Sequence, residues 1–131
     1  MKNIFLQFPE FITTDFRTER KPDLAFGSYT ISSEFQYQRH SILLPESLIR
    51  GRSVLDLGSC TGATGAWALS AGATRYVGLE FQPNFIDLSR RCLEQYYPGQ
   101  PWEIIQNDFE NFFKSNTEKF DIVVSFGSIY H

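Results

Sequence analysis

The sequence predicts an α/β protein, a three-layer sandwich with a mainly parallel sheet covered by helices on both faces. Two observations carry that reading. From Ser53 onward, short apolar segments alternate with helix-length segments. A cluster of Gly, Ser and Thr stands where the first apolar segment gives way to the first helix, in "SVLDLGSCTGATGAWALSAGATRYVGLE". Strands and helices alternating at this spacing imply right-handed crossovers between parallel strands.

In chain order, residues 1–32 read as an irregular, aromatic cover with turn signals at Lys21–Pro22–Asp23 and Phe26–Gly27–Ser28. Thirteen Phe and six Tyr are many for 131 residues, and the cluster before residue 40 reads as core and cover packing rather than a binding surface. Ser33 with Gln36 three residues on fits a capping box, opening a helix through Leu44 that Pro45 stops. Phe35, Ile42 and Leu43 would share one face of that helix, with Tyr37, Arg39 and His40 partly off it. "SVLDLG" reads as a buried strand and "GATGAWALSAG" as a helix with Gly72 as C-cap. "RYVGLE" is a second strand, followed by a helix in "QPNFIDLSRRCLEQYYPG" with Pro83 in its first turn and Gly99 past its end. "WEIIQND" is a third strand, "FENFFKS" a short helix and "KFDIVVSFGS" a fourth strand. The expected division is a cover with one helix over 1–50 and the α/β core over 51–131.

Composition narrows the functional classes. A chain of 131 residues, 42% hydrophobic and 21% charged, is one globular domain. A net charge of −3 and a pI near 5.3 disfavour nucleic acid as a partner, since the basic runs are short. Cys60, Cys92, His40 and His131 show no metal-ligand spacing, and two cysteines are too few for a disulfide framework. The start is apolar only briefly and no run approaches a membrane span, so a cytoplasmic protein without membrane contact is the expectation.

The glycine loop carries the chemistry. Gly58 and Gly62 would make a tight turn at a helix N-terminus, with Ser59 and Thr61 adding hydroxyls and Gly65 allowing close helix–sheet packing. Read as a dinucleotide fingerprint, the register puts Cys60 where the first glycine belongs, and no Gly-Lys-Ser/Thr follows for a phosphate-binding P-loop. Asp56, inside the apolar strand two residues before Gly58, would repel a pyrophosphate and favour a cation. S-adenosylmethionine carries a sulfonium and an ammonium and has no phosphate, so the charge pattern favours that cofactor.

"VLDLGSCTG" resembles the first motif of the class I, Rossmann-like S-adenosylmethionine-dependent methyltransferases, whose loop reads acid-x-Gly-x-Gly-x-Gly. Asp56, Gly58 and Gly62 match, and Cys60 replaces the middle glycine. The resemblance extends over about residues 35–131 and implies roles for residues at the later strand ends. Glu80, ending the second strand, would hold the ribose hydroxyls, with Phe81 beside it. Asp108 would take the adenine amino group, flanked by Asn107 and by Phe109, which would pack on the ring. Ser125, in "FDIVVSFGSIYH", would lie beside the methionine portion. Arg39 is a candidate for the cofactor carboxylate and Tyr37 for covering it, each beside a purely structural reading. Asp108 also suits the N-cap of the helix after it.

The family's topology implies a strand order 3-2-1-4, with three later strands missing from this sequence. The expectation is either a truncated product or an apolar fourth-strand edge, "IVVSF", covered by another chain or a second copy. Tyr130 and His131 fall where acceptor-side residues stand, with His131 a candidate base. The Asp/Asn-Pro-Pro-Tyr signature of nucleic-acid amino-methylating enzymes is absent: the corresponding stretch reads "SFGS". A small-molecule methyl acceptor is therefore expected. A catalytically silent cofactor-binding module stands as the alternative, and a nicotinamide oxidoreductase as a third reading.

Overall fold

The computed structural model describes residues 1–8 and 33–126. The aromatic cover expected over 9–32 and the residues 127–131, with Tyr130 and His131, lie outside the described residues. The alternating apolar segments form four strands, β1 Ser53–Leu57, β2 Arg75–Glu80, β3 Trp102–Gln106 and β4 Ile122–Val124. All pair in parallel in the order β3-β2-β1-β4, as the 3-2-1-4 topology requires. Asp56 stands opposite Gly78 on one side and Val124 on the other. The helices are α1 Ser33–Leu43, α2 Glu46–Ile49, α3 Ala63–Ser70, α4 Pro83–Tyr96 and α5 Phe109–Ser115, and a short 3₁₀ turn covers Ile4–Leu6.

The pleat divides the core. Val54, Tyr76, Ile104 and Val124 face one side, where Trp67, Ala66 and Leu93 from α3 and α4 pack with Phe5. Leu55, Leu57, Val77 and Leu79 face the other side and meet Phe112 of α5, with Phe120 and Ile105 at the margin. Phe5 stacks on Trp67, and the Trp67 indole N–H donates to Leu44 O at 2.8 Å. Full burial of side chains of this size contributes about 1.5–3 kcal/mol each, so the first eight residues are held by the same core as the sheet. α3 is buried from Ala63 to Leu69, which its small, apolar sequence allows. A Cβ on Gly65 would stand 2.5 Å from Tyr76 Cε1, so the expected close helix–sheet packing depends on that glycine. Gly72, just past the C-cap of α3, has φ +86°, and Pro83 occupies the first turn of α4.

The structure departs from the sequence pattern in three places. Ser33 is already helical rather than a cap, and Gln36 accepts from Arg39 Nη2 at 2.7 Å instead of reaching back to it. The apolar face of α1 lies outward: Gln36 and His40 are buried, whereas Phe35, Ile42 and Leu43 are 50, 76 and 54% exposed. His40 gains this place because both its ring nitrogens find partners nearby, in Gln36 O and Thr64 Oγ1. Finally, β4 is shorter than expected. At its start the Asp121 carboxylate accepts from the Ser53 N–H at 2.9 Å, so a side chain takes the bond a longer ladder would make.

Candidate functional site

The C-terminal ends of β1, β2 and β3 bring most of the expected site residues to one edge of the sheet. The loop between β1 and α3 turns through three left-handed residues, Gly58 (φ +78°), Cys60 (φ +52°) and Gly62 (φ +84°). Cys60 alone among the described non-glycine residues has a positive φ, a conformation that costs an L-residue about 1–2 kcal/mol. The loop is fastened to β2. Gly58 and Ser59 both donate their backbone N–H to Leu79 O, at 2.8 and 3.1 Å. The Cys60 N–H donates to Glu80 Oε2 at 3.0 Å, and the Gly62 N–H to Ser59 O at 2.9 Å.

Glu80 is buried, not a solvated strand end. Its Oε1 accepts from the N–H groups of Phe81 and Gln82, each at 3.0 Å, and its Oε2 from Cys60. The carboxylate therefore ties the glycine loop to the segment that opens α4. Phe81, the next residue, is 62% exposed. At the end of β3, the Asn107 N–H donates to Glu80 O at 3.0 Å, and Asn107 Oδ1 accepts from the Asp108 N–H. Asp108 is the N-cap of α5: its Oδ1 accepts from the Asn111 N–H at 2.8 Å and its Oδ2 from the Asn111 side chain. Phe109 packs partly against the core beneath the sheet. Ser125 directly follows β4.

Asp56 lies beneath the loop rather than on its open side. It is buried and accepts from the Tyr76 hydroxyl at 2.7 Å. Desolvation pushes its carboxyl up to about 7, against the hydrogen bond from Tyr76 and the positive charge of Arg39, with the Glu80 charge raising it further. Ser59 also departs from expectation. Its side chain turns toward the sheet, where a Cβ on Gly78 would stand 2.7 Å from Ser59 Cβ. The Ser59 hydroxyl approaches the Tyr76 oxygen closely enough to affect its titration, yet meets no partner with hydrogen-bonding geometry. A glycine in the middle of a strand signals such an approach, so Gly78 was a readable sign of the loop lying on β2.

α1 adds a second layer of polar groups. Arg39 lies within electrostatic reach of Asp56 and Cys60, and its guanidinium sits 4.5 Å from the centre of the Phe126 ring. Burial lowers its pKa, and its Nε is buried without a partner. His40 is fully buried, with Nδ1 2.7 Å from Gln36 O and Nε2 3.1 Å from Thr64 Oγ1. A carbonyl only accepts, so the proton belongs on Nδ1 and the Thr64 hydroxyl donates to Nε2. Desolvation holds His40 down at about 4, which keeps it neutral. Neither Tyr76 nor the Gln36–His40–Thr64 chain was visible as a site feature in the sequence. Tyr37 is engaged elsewhere: its hydroxyl donates to Met1 O at 2.9 Å and its ring meets Trp67 edge-on.

A family model described as a methyltransferase domain matches residues 54–131, more than half of the chain. The chain belongs to the class I, Rossmann-like S-adenosylmethionine-dependent methyltransferases. Solved methyltransferase structures share the fold. Protein arginine methyltransferase 10 of Arabidopsis thaliana is 24% identical over 66% of this chain and 24% of its own, with a TM-score of 0.58. The PRMT1 enzyme–prozyme complex of Trypanosoma brucei, solved with AdoHcy, is 22% identical over 70% of this chain and 28% of its own, at 0.61. The bifunctional kinase-methyltransferase WbdD is 31% identical over 67% of this chain and 18% of its own, at 0.51. The chain thus spans less than a third of the length of each of these three. A search of curated proteins finds none that matches. Among the described residues no helix is long and apolar enough to cross a membrane, and no cluster of His, Cys, Asp and Glu could hold a metal ion.

Proposed function

We propose that this methyltransferase domain binds S-adenosylmethionine at the β1–α3 loop and directs methyl transfer to a small-molecule acceptor. One observation carries the choice of cofactor: the backbone N–H groups of Gly58, Ser59, Cys60 and Gly62 are all spent within the protein. A pyrophosphate site needs such amides turned toward the ligand. Here the loop instead stands over the buried Asp56 and beside the Glu80 carboxylate, which disfavours a phosphate and suits hydroxyl groups.

The residues present fit that group chemically. Glu80 offers a remaining acceptor position to a ribose hydroxyl, and Phe81 presents an exposed ring next to it. The unpartnered Arg39 Nε is a donor for a carboxylate. Asn107, Asp108 and Phe109 close the adenine side, and Ser125 stands at the methionine side. When bound, S-adenosylmethionine supplies an electrophilic methyl group on its sulfonium. The chain's own contribution is positioning, which is the larger part of the barrier lowering in an in-line displacement. The net charge of −3 and the "SFGS" stretch after β4 favour a small acceptor over a nucleobase.

The test is transfer of a labelled methyl group from S-adenosylmethionine to a panel of small O- and C-nucleophiles, an RNA and a peptide mixture. Label in a small molecule is the expected result. Transfer confined to RNA or peptide would refute the acceptor assignment. S-adenosylhomocysteine binding with no transfer to any class would favour a catalytically silent module.

A further inference from the structure

We propose that Glu80 and Cys60 form a latch on the glycine loop, closed in the free protein and opened by a vicinal diol. The latch rests on S-adenosylmethionine being the cofactor of this loop. A carboxylate has about four acceptor positions, two on each oxygen. In Glu80, Oε1 already accepts two bonds, from Phe81 and Gln82, and Oε2 accepts one, from Cys60. One position remains, and the two hydroxyls of a cis-diol need two. A ligand that engages Glu80 through both hydroxyls must therefore displace one of the three N–H donors.

The structure identifies which donor leaves. Phe81 and Gln82 come directly after Glu80 in the chain, so local geometry holds their N–H groups on Oε1. Cys60 arrives from a different loop, twenty residues earlier, and holds its bond at φ +52°. Releasing that bond lets Cys60 return to a negative φ, so the strain of a left-handed cysteine favours opening. Gly58 and Gly62, left-handed on either side, absorb the rotation without a Cβ penalty. The two bonds to Leu79 O keep the base of the loop fixed meanwhile. Cys60, where the family loop has glycine, thereby acquires a reason: a glycine would hold the closed form without strain.

The latch is read by the scalar coupling across the hydrogen bond between the Cys60 amide nitrogen and the Glu80 carboxylate carbon, by NMR of the whole chain. The coupling is expected in the free protein, lost with saturating S-adenosylhomocysteine, and retained with its 2′-deoxy analogue, whose single hydroxyl fits the remaining position. In free Glu80→Gln, which keeps one oxygen for Phe81 and Gln82, the Cys60 amide is expected to exchange with solvent at least tenfold faster while those two do not change. If Glu80→Gln fails to fold, the ligand arms decide alone. Retained coupling with S-adenosylhomocysteine bound, or equal loss with the deoxy analogue, overturns the latch and leaves the cofactor reading intact. Failure of S-adenosylhomocysteine to bind overturns the cofactor reading instead, and the latch with it.

Discussion

Asp56 and His40, both buried on the same side of the sheet, are expected to tilt stability in opposite directions over one pH range. Asp56 is raised from 3.8 to about 7, so between those values the folded protein binds a proton that the unfolded chain has lost. Its stabilising contribution is complete at low pH and is lost as pH rises toward 7. His40 is lowered from 6.5 to about 4, so there the unfolded chain binds the extra proton. Its contribution is complete above 6.5 and is lost as pH falls toward 4. One proton changes stability by about 1.4 kcal/mol per pH unit. The swing is thus on the order of 4 kcal/mol for Asp56 and 3 for His40, and the two nearly cancel in the parent protein.

Single substitutions uncover each slope. Relative to the parent, Asp56→Asn is expected to gain stability steadily as pH rises from about 4 to about 7, because the asparagine still accepts from Tyr76 and never ionises. His40→Asn is expected to gain relative stability as pH falls through the same range. Urea unfolding at several pH values, followed by the fluorescence of Trp67 and Trp102, gives both curves. An Asp56→Asn curve parallel to the parent across the range would refute the claim that this carboxyl is desolvated beneath the loop.

Other substitutions test the packing. Gly65→Ala drives a Cβ into the Tyr76 ring and disturbs its bond to Asp56, and thermal denaturation should show a loss of about 2–4 kcal/mol. Cys60→Gly removes the left-handed strain and should stabilise the free protein by up to about 1 kcal/mol, the added chain entropy offsetting part of the gain. Tyr37→Phe loses one hydrogen bond to Met1 O and should cost about 0.5–1.5 kcal/mol in urea unfolding.

The strand–helix alternation was legible because apolar segments and turn residues mark boundaries locally: β2 and α5 fall on the expected residues, and Gly65 and Gly72 do what their positions suggested. α1 was not legible. Its buried face is set by Gln36 and His40 finding partners in Arg39 and Thr64, and by the ring of Trp67, contacts that a hydrophobic pattern does not register. The site divides in the same way. The glycine turn was readable from type and spacing and Glu80 only through the family resemblance, but the burial of Asp56 and the inward turn of Ser59 depend on Tyr76 and Gly78 across the sheet. Asp108 carried two readings in the sequence, and the structure shows the capping one.

On the proposed function this loop, with the Gly58, Ser59, Cys60 and Gly62 amides spent and the Glu80 carboxylate beside it, takes a cofactor without phosphates. Calorimetry of the chain with S-adenosylhomocysteine and, separately, with NAD tests it most directly. The expected result is binding of S-adenosylhomocysteine, weakened more than tenfold (about 1.4 kcal/mol) in Glu80→Ala, and no binding of NAD. Binding of NAD without S-adenosylhomocysteine would contradict it.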